Sequence, residues 1–160
     1  METTYQSLIN ELKLKVHNKK FFNEILKFIN NQKDDEKDYE KDDEIKKIIS
    51  DENIQNLIYN IVSEQEKIGS NLEKKLNDLI WLNETLIIFG EEPQPSKTKA
   101  LKLLKTKVFI NIYDLEAENY EKRTTSELLR KQLKKHKSKR YPLKLAKEKP
   151  TLKCFLIKTK

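Results

Sequence analysis

The sequence predicts a mainly α protein: an N-terminal helical bundle or hairpin over residues 1–90, a proline-containing linker over 91–96, and a small, basic, mostly helical module over 97–160, with one short strand near 107–113 as the alternative to helix there. Three observations predict it. Apolar residues recur at helical spacing along most of the chain. Only two glycines and four prolines interrupt 160 residues. The charge also changes sign at the linker: residues 1–95 carry 13 Lys/Arg against 20 Asp/Glu, and residues 96–160 carry 20 against 6.

Leu8, Ile9, Leu12 and Val16, followed by Phe21, Phe22, Ile25, Leu26, Phe28 and Ile29, repeat one helical face, as one helix or as two with a break near HNKK. DDEKDYEKDDE, Asp34 to Glu44, holds eight acids and two lysines, and the stretch 32–44 reads as an acidic solvated loop able to compete for the basic half. It lacks the turn glycine and the terminal glutamate spacing of a calcium-binding EF-hand loop.

From Ser50 a capping residue leads into Ile54, Leu57, Ile58, Ile61, Val62 and Ile68. Gly69-Ser70 is expected to end that helix and open another, over about 71–89, built on Leu72, Leu76, Leu79, Ile80, Leu86 and Ile87 with Trp81 and Leu82 beside the stripe. The stripe is broader than a coiled-coil seam, so the hairpin is expected to pack in a bundle. Leu57, Ile61, Leu79, Trp81 and Leu86 are its candidate anchors for a protein partner or a second copy of the chain.

In GEEPQPS, Gly90 can end a helix, Pro93 and Pro95 forbid its continuation, and Ser96 can cap the next. SKTKALKLLKTK should then bury Ala100, Leu101, Leu103 and Leu104. VFINIYDLEAE follows, placing Val108, Ile110 and Ile112 on one side if extended, and Thr125 or Ser126 starts a helix carrying Leu128, Leu129 and Leu133. Tyr141-Pro142 breaks that helix, and Leu143, Leu145, Ala146, Leu152, Phe155, Leu156 and Ile157 form a last apolar set interrupted by Pro150.

PQPSKTKALKLLKTKVFINIYDLEAE and SELLRKQLKKHKSKRYPLKLAKEKPTLKCFLIK, in that order, resemble a family of uncharacterised fungal proteins over about residues 93–158. The likeness lies in a lysine-rich helix after a proline-serine step, in FINIYDL from Phe109 to Leu115, and in a lysine-rich helix that runs into Tyr141-Pro142 and the pair Ala146-Lys147. Pro150 departs from the pattern, standing where the family tends to continue a helix. The resemblance implies a fungal-type intracellular protein and carries no activity with it.

Composition narrows the function classes. Runs such as LIWL and TLIIFG fall far short of the roughly 18 to 20 apolar residues that span a bilayer, and METTYQSLIN has no secretory pattern, so no membrane partner is expected. A single cysteine, Cys154, forms no internal disulfide and no metal site by itself, and in LKCFLI it reads as a small buried hydrophobe. His17 and His136 are far apart and each lies beside lysine. Two glycines cannot make a phosphate-cradling loop. No catalytic residue, metal ligand or cofactor site can be named, and a non-enzymatic protein is expected.

Binding remains. RKQLKKHKSKRYP, from Arg130 to Pro142, contains Arg130, Lys131, Lys134, Lys135, Lys137, Lys139 and Arg140, with His136 among them. With Lys122 and Arg123 upstream and Tyr141 as a stacking candidate, these residues form the expected contact with nucleic-acid phosphates. Lysines outnumber arginines, and point-charge lysines read bases poorly, so the contact should follow the backbone of DNA or RNA with little sequence specificity. An A/T-rich genome would enrich lysine everywhere, but it does not explain why acids vanish from one half. KKHKSKR also reads as a nuclear localisation signal. The alternative is a helical adaptor in a larger complex, its 51–89 hairpin on a partner and its basic half on an acidic protein.

Overall fold

The computed structural model describes residues 3–30, 43–153 and 155, and among them the fold is mainly α, with ten α-helices. They are α1 (Thr4–Val16), α2 (Lys19–Asn30), α3 (Asp43–Ser50), α4 (Glu52–Leu76), α5 (Leu79–Ile88), α6 (Lys97–Lys107), α7 (Ile112–Glu116), α8 (Ser126–Lys135), α9 (Leu143–Lys147) and α10 (Pro150–Lys153). Short 3-10 turns at Tyr120–Lys122 and Lys137–Lys139 flank α8. Of the acidic segment, residues 34–42 lie outside the described set, and Asp43 and Glu44 belong to α3 rather than to a loop. Cys154, Leu156 and Ile157 also lie outside it.

Helix starts follow local capping chemistry. Thr3, Asp51, Asp78, Ser96 and Thr125 each accept hydrogen bonds from first-turn backbone N–H groups of α1, α4, α5, α6 and α8. The Asn18 side chain does the same for Lys20 and Phe21 at the start of α2, after His17 turns the chain in a left-handed conformation (φ 60°). Gly90, at φ 81°, closes α5 in a Schellman arrangement, with its N–H on the Ile87 carbonyl and that of Glu91 on Leu86. Asn83 then exchanges two hydrogen bonds with the Gln94 backbone, which folds the proline linker back so that α6 packs on α5.

The long helix α4 is the spine, touching α1, α3, α5, α7, α9 and α10. It runs unbroken through Gly69-Ser70, where the sequence had pointed to a helix end; the break falls at Asn77-Asp78 instead. Gly69 is buried because the Tyr141 ring lies directly on it. The displaced break changes the register of α5: Leu82, Thr85 and Leu86 face inward, and the expected core residues Ile80 and Ile87 face solvent.

Residues on both sides of the linker, from Tyr5 to Leu152, share one cluster of buried side chains. The segment Val108 to Leu115 enters it almost whole, with Val108, Ile110, Ile112, Tyr113 and Leu115 buried. No strand forms among the described residues. Phe109 makes one antiparallel bridge to Thr124, and pairing stops there because Asn111 caps α7 on one side and Thr125 caps α8 on the other. Pro150, which the sequence placed as an interruption, is the first residue of α10, where its missing N–H costs nothing.

Candidate functional site

The basic run is tied down through its own backbone. The carbonyl of Ser138 accepts from the Tyr5 hydroxyl on α1, that of Lys139 from the Asn111 amide at 2.7 Å, and that of Arg140 from the Tyr113 hydroxyl on α7 at 3.4 Å. Three consecutive carbonyls therefore point into the molecule. Tyr141 is buried next to them, and its hydroxyl donates to the Gln65 carbonyl of α4 at 3.0 Å.

Tyr5 stacks on Tyr113 with ring centroids 4.0 Å apart, and Tyr113 tilts against Tyr141 at 5.9 Å. Burial pushes the Tyr5 hydroxyl up to about 12 and raises those of Tyr113 and Tyr141, so all three stay neutral donors. Tyr141 is thus a fastening of the basic segment to the core, not the stacking platform expected from sequence; its ring is only 7% exposed.

The cationic residues divide into two groups. Arg130, Lys131, Lys134 and Lys135 on α8 and Lys122 before it are exposed, while Lys137 and Lys139 are half-buried. Among the described residues Lys131 forms an ion pair with Glu127 at 3.2 Å, and no carboxylate lies at ion-pairing distance from Lys134, Lys135, Lys137 or Lys139. The two arginines near the ends of the segment serve the fold. Arg140 donates from Nε to the Leu133 carbonyl at 2.7 Å, and Arg123 spans the Phe89 and Lys107 carbonyls at 3.2 and 2.9 Å while lying 5.0 Å from the Phe89 ring centre. Leu128, expected on the buried side of α8, is exposed; Leu129 is the buried one.

A feature that the one-dimensional reading missed is the corner between α1 and α2. The 3-10 turn Lys137–Lys139 packs on α2, and the charges of the exposed Lys13 and Lys19 reach the basic run. His136 records the result: desolvation, then the fields of Lys139, Lys135, Lys13 and Lys19, hold its imidazole below the ordinary value of 6.5. No spacing in the sequence could have joined residues more than a hundred positions apart. On α7, burial lifts the Asp114 carboxyl above its ordinary value, against the pull of the Asn119 side chain, Lys139 and Lys122.

The proposed protein-contact anchors fare differently. Leu57, Ile61 and Leu86 are core residues, which corrects their assignment to an interface. Leu79 and Trp81 are half-buried; the Trp81 Nε1 donates to Glu118 at 3.0 Å, and Lys75 reaches the same carboxylate at 3.4 Å. The apolar residues that α5 does expose are Ile80 (71%), Ile87 (58%) and Ile88 (58%), which share one face with Glu84.

Elsewhere, a cavity of about 50 Å³ lies between α2, α4 and α9 beside Gln65, well below the few hundred Å³ of small-molecule sites. Among the described residues no group of His, Cys, Asp and Glu is placed to hold a metal ion, and no helix is long and apolar enough to cross a membrane. No protein-family model matches the chain, and neither a curated protein nor a solved structure matches it.

Proposed function

We propose that the protein is a non-enzymatic binder of nucleic-acid phosphate backbone, with low sequence specificity, acting through the surface that carries Lys134, Lys135, Lys137 and Lys139. The observation that supports this reading is the inward fastening of the Ser138, Lys139 and Arg140 carbonyls. It holds the backbone of a lysine-rich segment in one conformation, while no described carboxylate pairs with its four lysines. A cationic surface ordered before binding loses less conformational entropy when a polyanion docks. A nuclear location agrees with the KKHKSKR signal.

Titration of the full chain into a fluorescent duplex and a fluorescent single strand, across a salt series, tests the proposal. The expected result is a linear loss of log affinity with log salt, with a slope of about −0.9 per neutralised phosphate on duplex and about −0.7 on single strand. Changing Lys134, Lys135, Lys137 and Lys139 together to glutamine should flatten the slope and abolish measurable binding at moderate salt. Absence of binding at low salt would remove the proposal.

A second reading, an adaptor subunit, draws on the exposed Ile80, Ile87 and Ile88 of α5. A helix that is apolar on its solvent face as well as its buried face is usually covered in its working state.

A further inference from the structure

Ile80, Ile87 and Ile88 project from α5 into solvent, and Glu84 is exposed between them. Their spacing of i, i+4, i+7 and i+8 sets the four side chains on one stripe about 12 Å long. The other exposed large apolar side chains among the described residues, Leu14, Tyr59, Leu128 and Leu143, stand one to a helix. The stripe is braced on both flanks. Asn83 exchanges hydrogen bonds of 3.0 and 2.7 Å with the Gln94 backbone, and the Trp81 Nε1 donates to Glu118 at 3.0 Å. A partner that covers this face therefore orders little of the protein that is not ordered already.

The charge around the stripe selects what can cover it. In a chain of net charge +7, residues 76–96 hold no Lys, Arg or His and four acids, Asp78, Glu84, Glu91 and Glu92. The lysines of α6, which packs on α5, form no ion pair with Glu84 among the described residues. Burying the isoleucines buries Glu84 with them, and a carboxylate taken out of water must gain a cation or a donor. A purely apolar partner leaves it bare, an acidic partner repels it, and a second copy related by a two-fold axis sets another Glu84 against it. The first-turn N–H groups of α5 are capped by Asp78, so a partner meets side chains rather than free backbone. Side-by-side helix packing is the arrangement that such a ridge accepts.

We infer that the outer face of α5 docks an amphipathic helix of another protein, which lays apolar residues over Ile80, Ile87 and Ile88 and sets a lysine or arginine against Glu84. The inference rests on the adaptor reading and adds to it the chemistry of the partner; it does not involve the lysine surface.

The test uses the full chain and a displayed library of peptides of about 14 residues, roughly four helical turns. Each peptide carries one leucine face, with the flanking positions varied among Lys, Arg, Glu, Gln and Ala. Selection in about 0.3 M salt screens exposed charges more than buried pairs. Peptides that also bind the combined Ile80→Ser, Ile87→Ser and Ile88→Ser variant are removed. The survivors should carry Lys or Arg beside the leucines. Glu84→Lys should weaken the tightest of them by about 30-fold or more, as expected when one partner of a covered charge pair is lost. The same peptide with its cation changed to Glu should recover binding to Glu84→Lys. Unfolding curves of both variants should match the parent, since all four residues are exposed.

Survivors without a cation, or an affinity unmoved by Glu84→Lys, would overturn the inference and leave the adaptor reading standing. Self-association of the parent, removed by the three serines, would give the face to a second copy and overturn it as well. No peptide that tells the parent from the serine variant would overturn both the inference and the adaptor reading.

Discussion

The Tyr141 hydroxyl rests against Gly69 in the middle of α4 and donates to the Gln65 carbonyl one turn earlier, at 3.0 Å. A Cβ at position 69 would drive into that hydroxyl and come within 3.0 Å of the ring carbon that bears it. In an exposed helix interior, Gly→Ala stabilises by about 1 kcal/mol. Here the overlap reverses the sign, because the ring is hemmed in by Tyr113 and the core. Gly69→Ala should destabilise by about 1–3 kcal/mol in urea unfolding. Tyr141→Phe removes the hydroxyl, so in the double variant the cost of Gly69→Ala should shrink; additive effects in the cycle would refute the contact.

The same tyrosines predict an alkaline limit to stability. Tyr5, Tyr113 and Tyr141 hold their protons more tightly when folded than the ordinary value of 10. Below pH 10 both folded and unfolded chains keep these protons and nothing is lost. Above it the unfolded chain ionises first, so unfolding is favoured increasingly up to about pH 12, where Tyr5 would ionise in place. The urea midpoint should fall between pH 9.5 and 11.5, and Tyr5→Phe should show a shallower fall. Part of the tyrosinate absorbance near 295 nm should appear only together with loss of helix by circular dichroism.

Much of this fold was legible because its signals are local. Ser96 and Thr125, both read from the sequence, cap helices through bonds to residues three positions on, and Gly90 ends α5 by its own backbone freedom; Asp51 caps α4 where the sequence pointed to its neighbour Ser50. Gly69 misled because the same residue type serves a contact 72 positions away, which no local pattern encodes. The helix break falls at Asn77-Asp78 instead, and in the resulting register Leu86 keeps its expected place in the core while Ile80 and Ile87 face out of it. The lysine run was legible as charge. Its fastening by Tyr5, Asn111 and Tyr113, and the reach of the Lys13 and Lys19 charges to it, depend on tertiary packing alone.

Arg123 shows how a cation of the basic half is tied to the fold by its partners. Its guanidinium closes the C-terminal ends of α5 and α6 by bonding the Phe89 and Lys107 carbonyls, and the planar fork makes the double contact possible. Arg123→Lys keeps the charge and cannot span both. We expect it to lower stability by about 1 kcal/mol, with oligonucleotide affinity unchanged in the folded protein. A loss of affinity without a loss of stability would return Arg123 to the binding surface.

Two neighbours on α5 separate core from surface most sharply. Leu86 is fully buried and Ile87 is 58% exposed. Leu86→Ala should cost about 2–5 kcal/mol because it opens a cavity under α5. Ile87→Ala should change stability by no more than about 0.5 kcal/mol. The adaptor reading adds a second expectation for the surface residue: Ile80→Ser, Ile87→Ser and Ile88→Ser together should leave the urea midpoint and the oligonucleotide affinity in place while weakening any protein contact made by this helix. Sedimentation velocity over a concentration series reads the simplest such contact, a second copy of the chain. Glu84 stands in the centre of the isoleucine face, and a symmetric pairing of two α5 helices would bring two such carboxylates together. The parent chain should therefore sediment as a monomer at all concentrations, and a dimer that dissociates in the triple serine variant would show that the face closes on itself despite that repulsion.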